Sequence, residues 1–192
     1  MPFERRKPMD NGACSYRRFL GGDDKGIAEI VGDYKDGLIL YLNGYVNNIH
    51  IAEELAEDTF FRLVVKKPKF SGKSTFKTWL YAIGRNVAAD YLRHSSKSAG
   101  IPIDDAEKYL AEEESLEQSY IKEERKLSLH KALSHLPEDY KSVLWLVYFE
   151  GFSNKEAAVI LKKNDRQIKN LLYRAKQSLK ATLEKDGFNY EN

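Results

Sequence analysis

Phe76, Leu80, Ile83, Val87 and Tyr91 follow one another at steps of four, three, four and four, and only an α-helix gathers residues so spaced onto one face. Trp79 widens that face, so the stretch FSGKSTFKTWLYAIGRNVAADYLR, Phe70 to Arg93, is expected to be a polar loop running into a long core helix. The opposite side carries Lys77, Tyr81, Arg85 and Arg93 at multiples of four, with Asn86 beside them. Cations, an amide and an aromatic are therefore expected to point outward together. Such a face suits a nucleic-acid strand, because cations neutralise phosphates and a ring stacked on an unpaired base contributes about 1–3 kcal/mol. Between Arg62 and Arg93 eight Lys or Arg stand against the single acid Asp90. The same charges also fit the solvated side of an ordinary core helix.

Helical spacing continues upstream. Ile27, Ile30, Val31, Tyr34, Leu38, Tyr41, Leu42 and Tyr45 keep it, although Gly32, Gly37 and Gly44 each cost about 1 kcal/mol of propensity. Asn47 and Asn48 supply turn and cap chemistry, and the next helix is expected from about Ile51 to Val65, with Pro68 stopping it. It would bury Ala52, Leu55, Ala56, Thr59, Phe60 and Leu63 and show Glu53, Glu54, Glu57, Asp58 and Phe61. An acidic face with one exposed aromatic reads as a docking surface, or as acids that the helix dipole favours near its start. Adjacent acids spread around one helix, with no histidine among them, make a poor cage for a divalent ion, so neither metal nor cofactor is expected. Residues 1–22 mix charge, Gly21, Gly22 and a few aromatics without a clear period. They read as a loosely ordered arm, with Tyr16 and Phe19 as docking points.

Beyond Arg93 the composition flips. A Ser-rich break from His94 to Gly100 leads to Pro102, and between Lys97 and Glu124 nine acids stand against three lysines. This acidic linker divides the chain into two small helical domains, giving an all-α fold with an arm at 1–22, a bundle at 23–95, the linker at 96–122 and a second bundle at 123–187. At 192 residues and 42 % hydrophobic content there is core enough for both, and the net charge of +2 conceals the blocks. A single cysteine, Cys14, excludes a disulfide framework within the chain and fits a reducing compartment. With no apolar run of about 18 residues and no signal-peptide core near the start, a cytoplasmic protein that does not enter a membrane is expected.

The C-terminal part restarts near Glu123 with Leu129, Leu133 and Leu136 on one face; Pro137 opens a helix carrying Tyr140, Val143, Leu144 and Val147, and Gly151 ends it. Ser153 with Glu156 forms a capping box for a short helix through Ala157, Ala158, Ile160 and Leu161. After the turn Lys162, Lys163, Asn164, the pair Asn164 and Gln167 repeats the pattern and starts a longer helix buried through Ile168, Leu172, Ala175 and Leu179. A short helix, a tight turn and a longer basic helix make a helix-turn-helix, whose second member enters the major groove of DNA. Arg166, Gln167, Lys169, Asn170, Tyr173 and Arg174 project from that helix, and Arg, Gln and Asn can pair bidentately with base edges at about 1–3 kcal/mol each. A three-helix bundle with a solvated last helix would carry the same pattern.

Two stretches together resemble the sigma factors of bacterial RNA polymerase, in particular the small two-domain extracytoplasmic-function (ECF) group of the sigma-70 family. AEELAEDTFFRL (Ala52 to Leu63) followed by Phe70 to Arg93 is similar to that family's region two; LPEDYKSVLWLVYFEGFSNKEAAVIL (Leu136 to Leu161) and QIKNLLYRAKQSL (Gln167 to Leu179) resemble its region four. The resemblance implies a subunit that directs core polymerase to promoters and promotes melting. It implies that Glu54, Leu55, Glu57, Asp58 and Phe61 grip the clamp helices of the β′ subunit, with the β flap as a second polymerase contact. Phe70, Ser71, Gly72, Lys73 and Ser74 fall where relatives hold a base flipped from the −10 element, and Lys77, Tyr81, Arg85 and Asn86 on the helix reading the adjoining DNA. Arg166, Gln167, Lys169, Asn170, Tyr173 and Arg174 fall on the −35 reader, and an anti-sigma protein becomes a further candidate partner. The chain departs from many relatives at Lys162 and Lys163, where they carry Gly and then an apolar residue, and at Leu171, where they carry a basic one. A stand-alone helix-turn-helix regulator would explain the C-terminal half alone. A nuclease would need more than four scattered histidines (His50, His94, His130, His135); with no nucleophile and base set in view, no enzyme is expected.

Overall fold

The computed structural model describes residues 10–98, 129 and 131–185, and all regular structure among them is helical. The N-terminal bundle comprises α1 (Asn11–Leu20), α2 (Lys25–Val46), α3 (Ile49–Lys66) and α4 (Phe76–Ser98). In the C-terminal bundle a helical turn at 131–134 precedes α5 (Glu138–Leu144), which continues as a π-helical turn over Trp145–Phe149, then α6 (Asn154–Leu161) and α7 (Asp165–Lys185). The fold is all-α, as expected, and α4 of the first bundle packs on α6 of the second, with α2 on α5.

Local chemistry sets the boundaries. Asn47 closes α2 in the left-handed conformation, and Asn48, extended, accepts from the amides of His50 and Ile51 at 3.1 and 3.2 Å to cap α3. Both reciprocal caps of the C-terminal bundle form. Ser153 and Glu156 exchange side-chain and backbone bonds, and the Asn164 and Gln167 side chains each accept from the other's amide at 2.8 Å. Ile30, Leu38, Leu42, Leu63, Phe76 and Leu80 of the first bundle and Val143, Leu146, Ile160 and Ile168 of the second are fully buried, and they belong to one continuous hydrophobic core. Each such side chain contributes about 1.5–3 kcal/mol through burial.

Residues 11–20 form a helix, not the loosely ordered arm expected from their lack of period. Ten residues span too few turns for periodicity to show, and the evidence lies in contacts instead. Asp10 caps α1 by accepting from Ala13 at 3.1 Å, and Tyr16 and Phe19 are 1 % and 5 % exposed. Glu29 of α2 holds α1 through Ser15 at 2.6 Å and Arg18 at 2.5 Å. Among the described residues, the first bundle therefore includes α1, upstream of residue 23. α4 reaches Ser98, into the expected linker 96–122, and the rest of that stretch lies outside the described residues.

Candidate nucleic-acid and partner interfaces

α3 turns Ala52, Leu55, Ala56, Thr59, Phe60 and Leu63 into the core. Leu55, which the family resemblance assigns to the docking set, is 4 % exposed and faces the core beneath that surface. Glu54, Glu57 and Asp58 are exposed, and Phe61 is 62 % exposed. Beside them, between α2 and α3, runs an apolar groove of about 330 Å³ lined by Ile27, Val31, Phe60, Phe61 and Val64, with Lys35 and Glu57 as its charged members. The sequence reading missed Ile27, Val31 and Val64 because they share the apolar period of the core.

Between α3 and α4 the chain passes through a loop. Lys67 takes the left-handed conformation at φ 41°, Gly72 does so at φ 70°, and Ser71, Gly72 and Lys73 are exposed at the tip. Phe70 is half-buried, its ring 5.7 Å from that of Phe76 and 5.2 Å from that of Trp79. The loop thus has an aromatic root and a small, polar, basic tip.

Of the side of α4 expected to face outward, Arg93 is exposed, but Lys77, Tyr81, Arg85 and Asn86 are not. Tyr81 is 1 % exposed, packed between a tilted Tyr41 ring and an edge-on Phe152 ring with centroids at 5.3 and 5.1 Å. Its hydroxyl donates to Glu150 at 2.7 Å, and the same carboxylate pairs with Lys77 at 2.9 Å. Lys77 also donates to the Glu150 carbonyl at 2.9 Å and lies 4.8 Å over the Phe152 ring. Burial, then the adjacent carboxylate, push the Tyr81 hydroxyl far above its ordinary pKa, so it stays a donor. Arg85 and Asn86 are half-buried, and the Arg85 charge acts on Tyr41, Tyr45 and Glu138. Periodicity identifies the face but cannot say that the second bundle covers it.

Glu150 reaches α4 because of how its own helix ends. The π-helical turn, closed by the Glu150 amide on the Trp145 carbonyl at 3.1 Å, runs into Gly151 at φ 70°, where a side chain would be strained. One turn on, Glu156 closes the cap of α6 with one oxygen and receives Thr78 at 3.2 Å and Thr75 at 3.4 Å with the other. Burial raises its pKa, yet the bonds from Ser153, Thr78 and Thr75 outweigh this and leave it lowered. Glu150, Glu156 and Thr78 were not singled out by sequence as a contact. Their signals, a carboxylate ending the apolar run WLVYF and a threonine beside a core face, are weak.

On α7, Arg166, Gln167, Lys169, Asn170, Tyr173 and Arg174 are all exposed, Tyr173 at 67 %. Two are engaged locally: Gln167 in the cap with Asn164, and Lys169 with Asp165 at 2.8 Å. The turn before α7 places Lys162 in the left-handed region at φ 54°, the conformation that glycine supplies without strain.

Known proteins match the same arrangement. Residues 30–98 match the family model of sigma-70 region 2, and residues 126–179 that of sigma-70 region 4. The ECF RNA polymerase sigma factor SigM of Bacillus subtilis is 31 % identical over 157 residues, covering 81 % of this chain and 93 % of that protein. The RNA polymerase sigma-H factor of Pseudomonas aeruginosa is 25 % identical over 175 residues, covering 87 % and 91 %. A solved structure of the sigma factor RpoE in complex with the anti-sigma factor NepR, from Bartonella quintana, shares the fold with a TM-score of 0.66 at 25 % identity, over 83 % of this chain and 98 % of that one. With both regions matched in order on two packed helical bundles, the chain belongs to the sigma-70 family of RNA polymerase sigma factors, in its extracytoplasmic-function group.

Proposed function

We propose that the chain binds core RNA polymerase, directs it to specific promoters and promotes melting of the DNA. The observation that carries this reading is the pairing, in one chain, of an exposed basic recognition helix with a glycine-tipped basic loop, each inside a matched family region. Glu54, Glu57, Asp58 and Phe61, with the neighbouring apolar groove, form the docking face for the β′ clamp helices, and the second bundle meets the β flap. The bundle from Asp10 to about residue 95 handles the −10 element and the bundle at 123–187 the −35 element. Phe70 to Ser74 hold an extruded base of the melted strand, with Lys77, Arg85 and Asn86 on the adjoining DNA. Arg166, Gln167, Lys169, Asn170, Tyr173 and Arg174 meet the duplex.

Opening DNA costs about 0.6–2.2 kcal/mol per base step in lost stacking. Capture of one base and neutralisation of the freed strand offset several steps. Bond making belongs to the polymerase, and this chain supplies recognition without being an enzyme. Because Lys77 is held by Glu150, its contact with DNA requires the second bundle to move off α4. An anti-sigma protein fits as a further partner, a reading supported by the complex in which the structural relative was solved.

Transcription of a genomic library by purified core polymerase tests the proposal. New starts appear only when the chain is added, and Asp58→Arg, on an exposed face, removes them together with co-purification of core enzyme. Unchanged starts with and without the chain would overturn it.

A further inference from the structure

α1 ends ten residues before the matched region 2 begins at residue 30, yet it touches both ends of the loop between α3 and α4. At the loop's entry the Tyr16 hydroxyl donates to the Pro68 carbonyl at 2.8 Å, and the Lys67 ammonium lies 5.2 Å over the Phe19 ring. At its exit the second oxygen of Asp10 accepts from the Phe76 amide at 2.6 Å, while the first caps α1 itself. One carboxylate therefore ties the starts of two helices together.

Between these ties the Tyr16 ring packs on Phe76 and Trp79 at 5.5 and 5.4 Å, the same two rings that seat Phe70. α1 sits so close that a Cβ on Gly12 would stand 2.5 Å from the Phe76 ring and 2.7 Å from the Tyr34 hydroxyl. The tip residues Ser71, Gly72 and Lys73 are exposed and span a glycine in the left-handed region. A loop of this kind keeps one shape only as far as its ends are fixed, and selection of one base over another depends on that shape.

We infer that α1 is a positioning element for base selection, with Asp10 and Tyr16 fixing the loop so that its tip presents one pocket to an unpaired base. This rests on the reading that the loop captures an extruded base. Neither side chain touches the nucleic acid, and both act through the backbone they hold.

Holoenzyme reconstituted from core polymerase and the full chain is mixed with a pool of randomised twelve-nucleotide single-stranded DNA, and the retained strands are sequenced. With the wild-type chain one position is strongly enriched in a single base. Tyr16→Phe removes only a hydroxyl, and Asp10→Asn leaves one acceptor for two amides, so both variants keep the packed core. Each lowers the enrichment at that position by about fivefold, the scale of one lost hydrogen bond, while retention of duplex through α7 is unchanged. Enrichment equal to wild type in both variants overturns the inference and leaves the capture reading standing, as does an even loss at every position, which marks a merely structural helix. No enriched position with the wild-type chain overturns both.

Discussion

Tyr81 donates its hydroxyl to Glu150 at 2.7 Å across 69 residues of sequence, and Lys77 pairs with the same carboxylate at 2.9 Å. The Glu150 side chain is 12 % exposed and that of Lys77 32 %, so the pair is partly shielded from water. Truncation to Glu150→Ala strands the buried Tyr81 hydroxyl, which costs about 1–3 kcal/mol, and leaves the Lys77 ammonium to the Glu150 carbonyl and the Phe152 ring. Tyr81→Phe leaves Lys77 still paired and costs about 1 kcal/mol. The radius of gyration from small-angle scattering is expected to rise in Glu150→Ala and to change less in Tyr81→Phe. Equal radii in wild type and Glu150→Ala would show that the bundles stay together without this contact.

Gly37 of α2 lies under that contact. A Cβ there would stand 2.6 Å from the Tyr81 hydroxyl and 2.9 and 3.1 Å from the two Glu150 oxygens. Alanine would favour the helix by about 1 kcal/mol, so two effects of opposite sign compete in Gly37→Ala. The expected outcome is a more stable α2 with a weaker contact between bundles, seen as an expansion like that of Glu150→Ala. The double variant is expected to expand no further, because both changes remove one contact. Additive expansion would separate Gly37 from Glu150.

Acid should loosen the same junction through Glu156. Its folded pKa lies below the ordinary 4.5, so the unfolded chain takes up the proton first. The stabilisation is complete above the ordinary value and is lost as pH falls through the folded one. Glu156→Gln keeps a capping group at the third helical position but no charge, so its melting temperature should fall less steeply than wild type below about pH 4.5. Glu29, also lowered, and Glu138, raised by burial with the opposite sign, are present in both proteins and cancel in the comparison. Parallel curves would mean that the bonds to Thr75 and Thr78 do not depend on the charge.

Much of this was legible in the residues. Spacing located α2, α3, α4 and α7, and the pairs Ser153 with Glu156 and Asn164 with Gln167 marked two helix starts to the residue. Contacts between distant segments were not legible. Nothing in the period of α4 says that Glu150 covers Tyr81, and Gly37, which reads as a weak point in a helix, is the gap that lets the two meet. α1 was hidden for a related reason: its ten residues hold their place through Asp10, Tyr16 and Gly12, each defined by a partner far along the chain. Lys162 shows the reverse case, a residue other than glycine that the turn holds in the left-handed region at φ 54°.

The exposed face of α7 yields the last prediction. Neutralising phosphates releases counterions, so the slope of log binding constant against log salt falls by about 0.9 for each contact removed from duplex DNA. Arg174 is exposed on that face, whereas Lys169 already pairs with Asp165 at 2.8 Å. A cation half-neutralised by its own helix releases fewer counterions on binding than a free one. Arg174→Ala is therefore expected to flatten the salt dependence by close to one full contact and Lys169→Ala by less, measured by anisotropy on a promoter duplex with the holoenzyme. Asp165→Asn should then steepen the slope while Lys169 is present and leave it unchanged in the Lys169→Ala background. Identical slopes for wild type and all four variants would remove this face of α7 from the DNA.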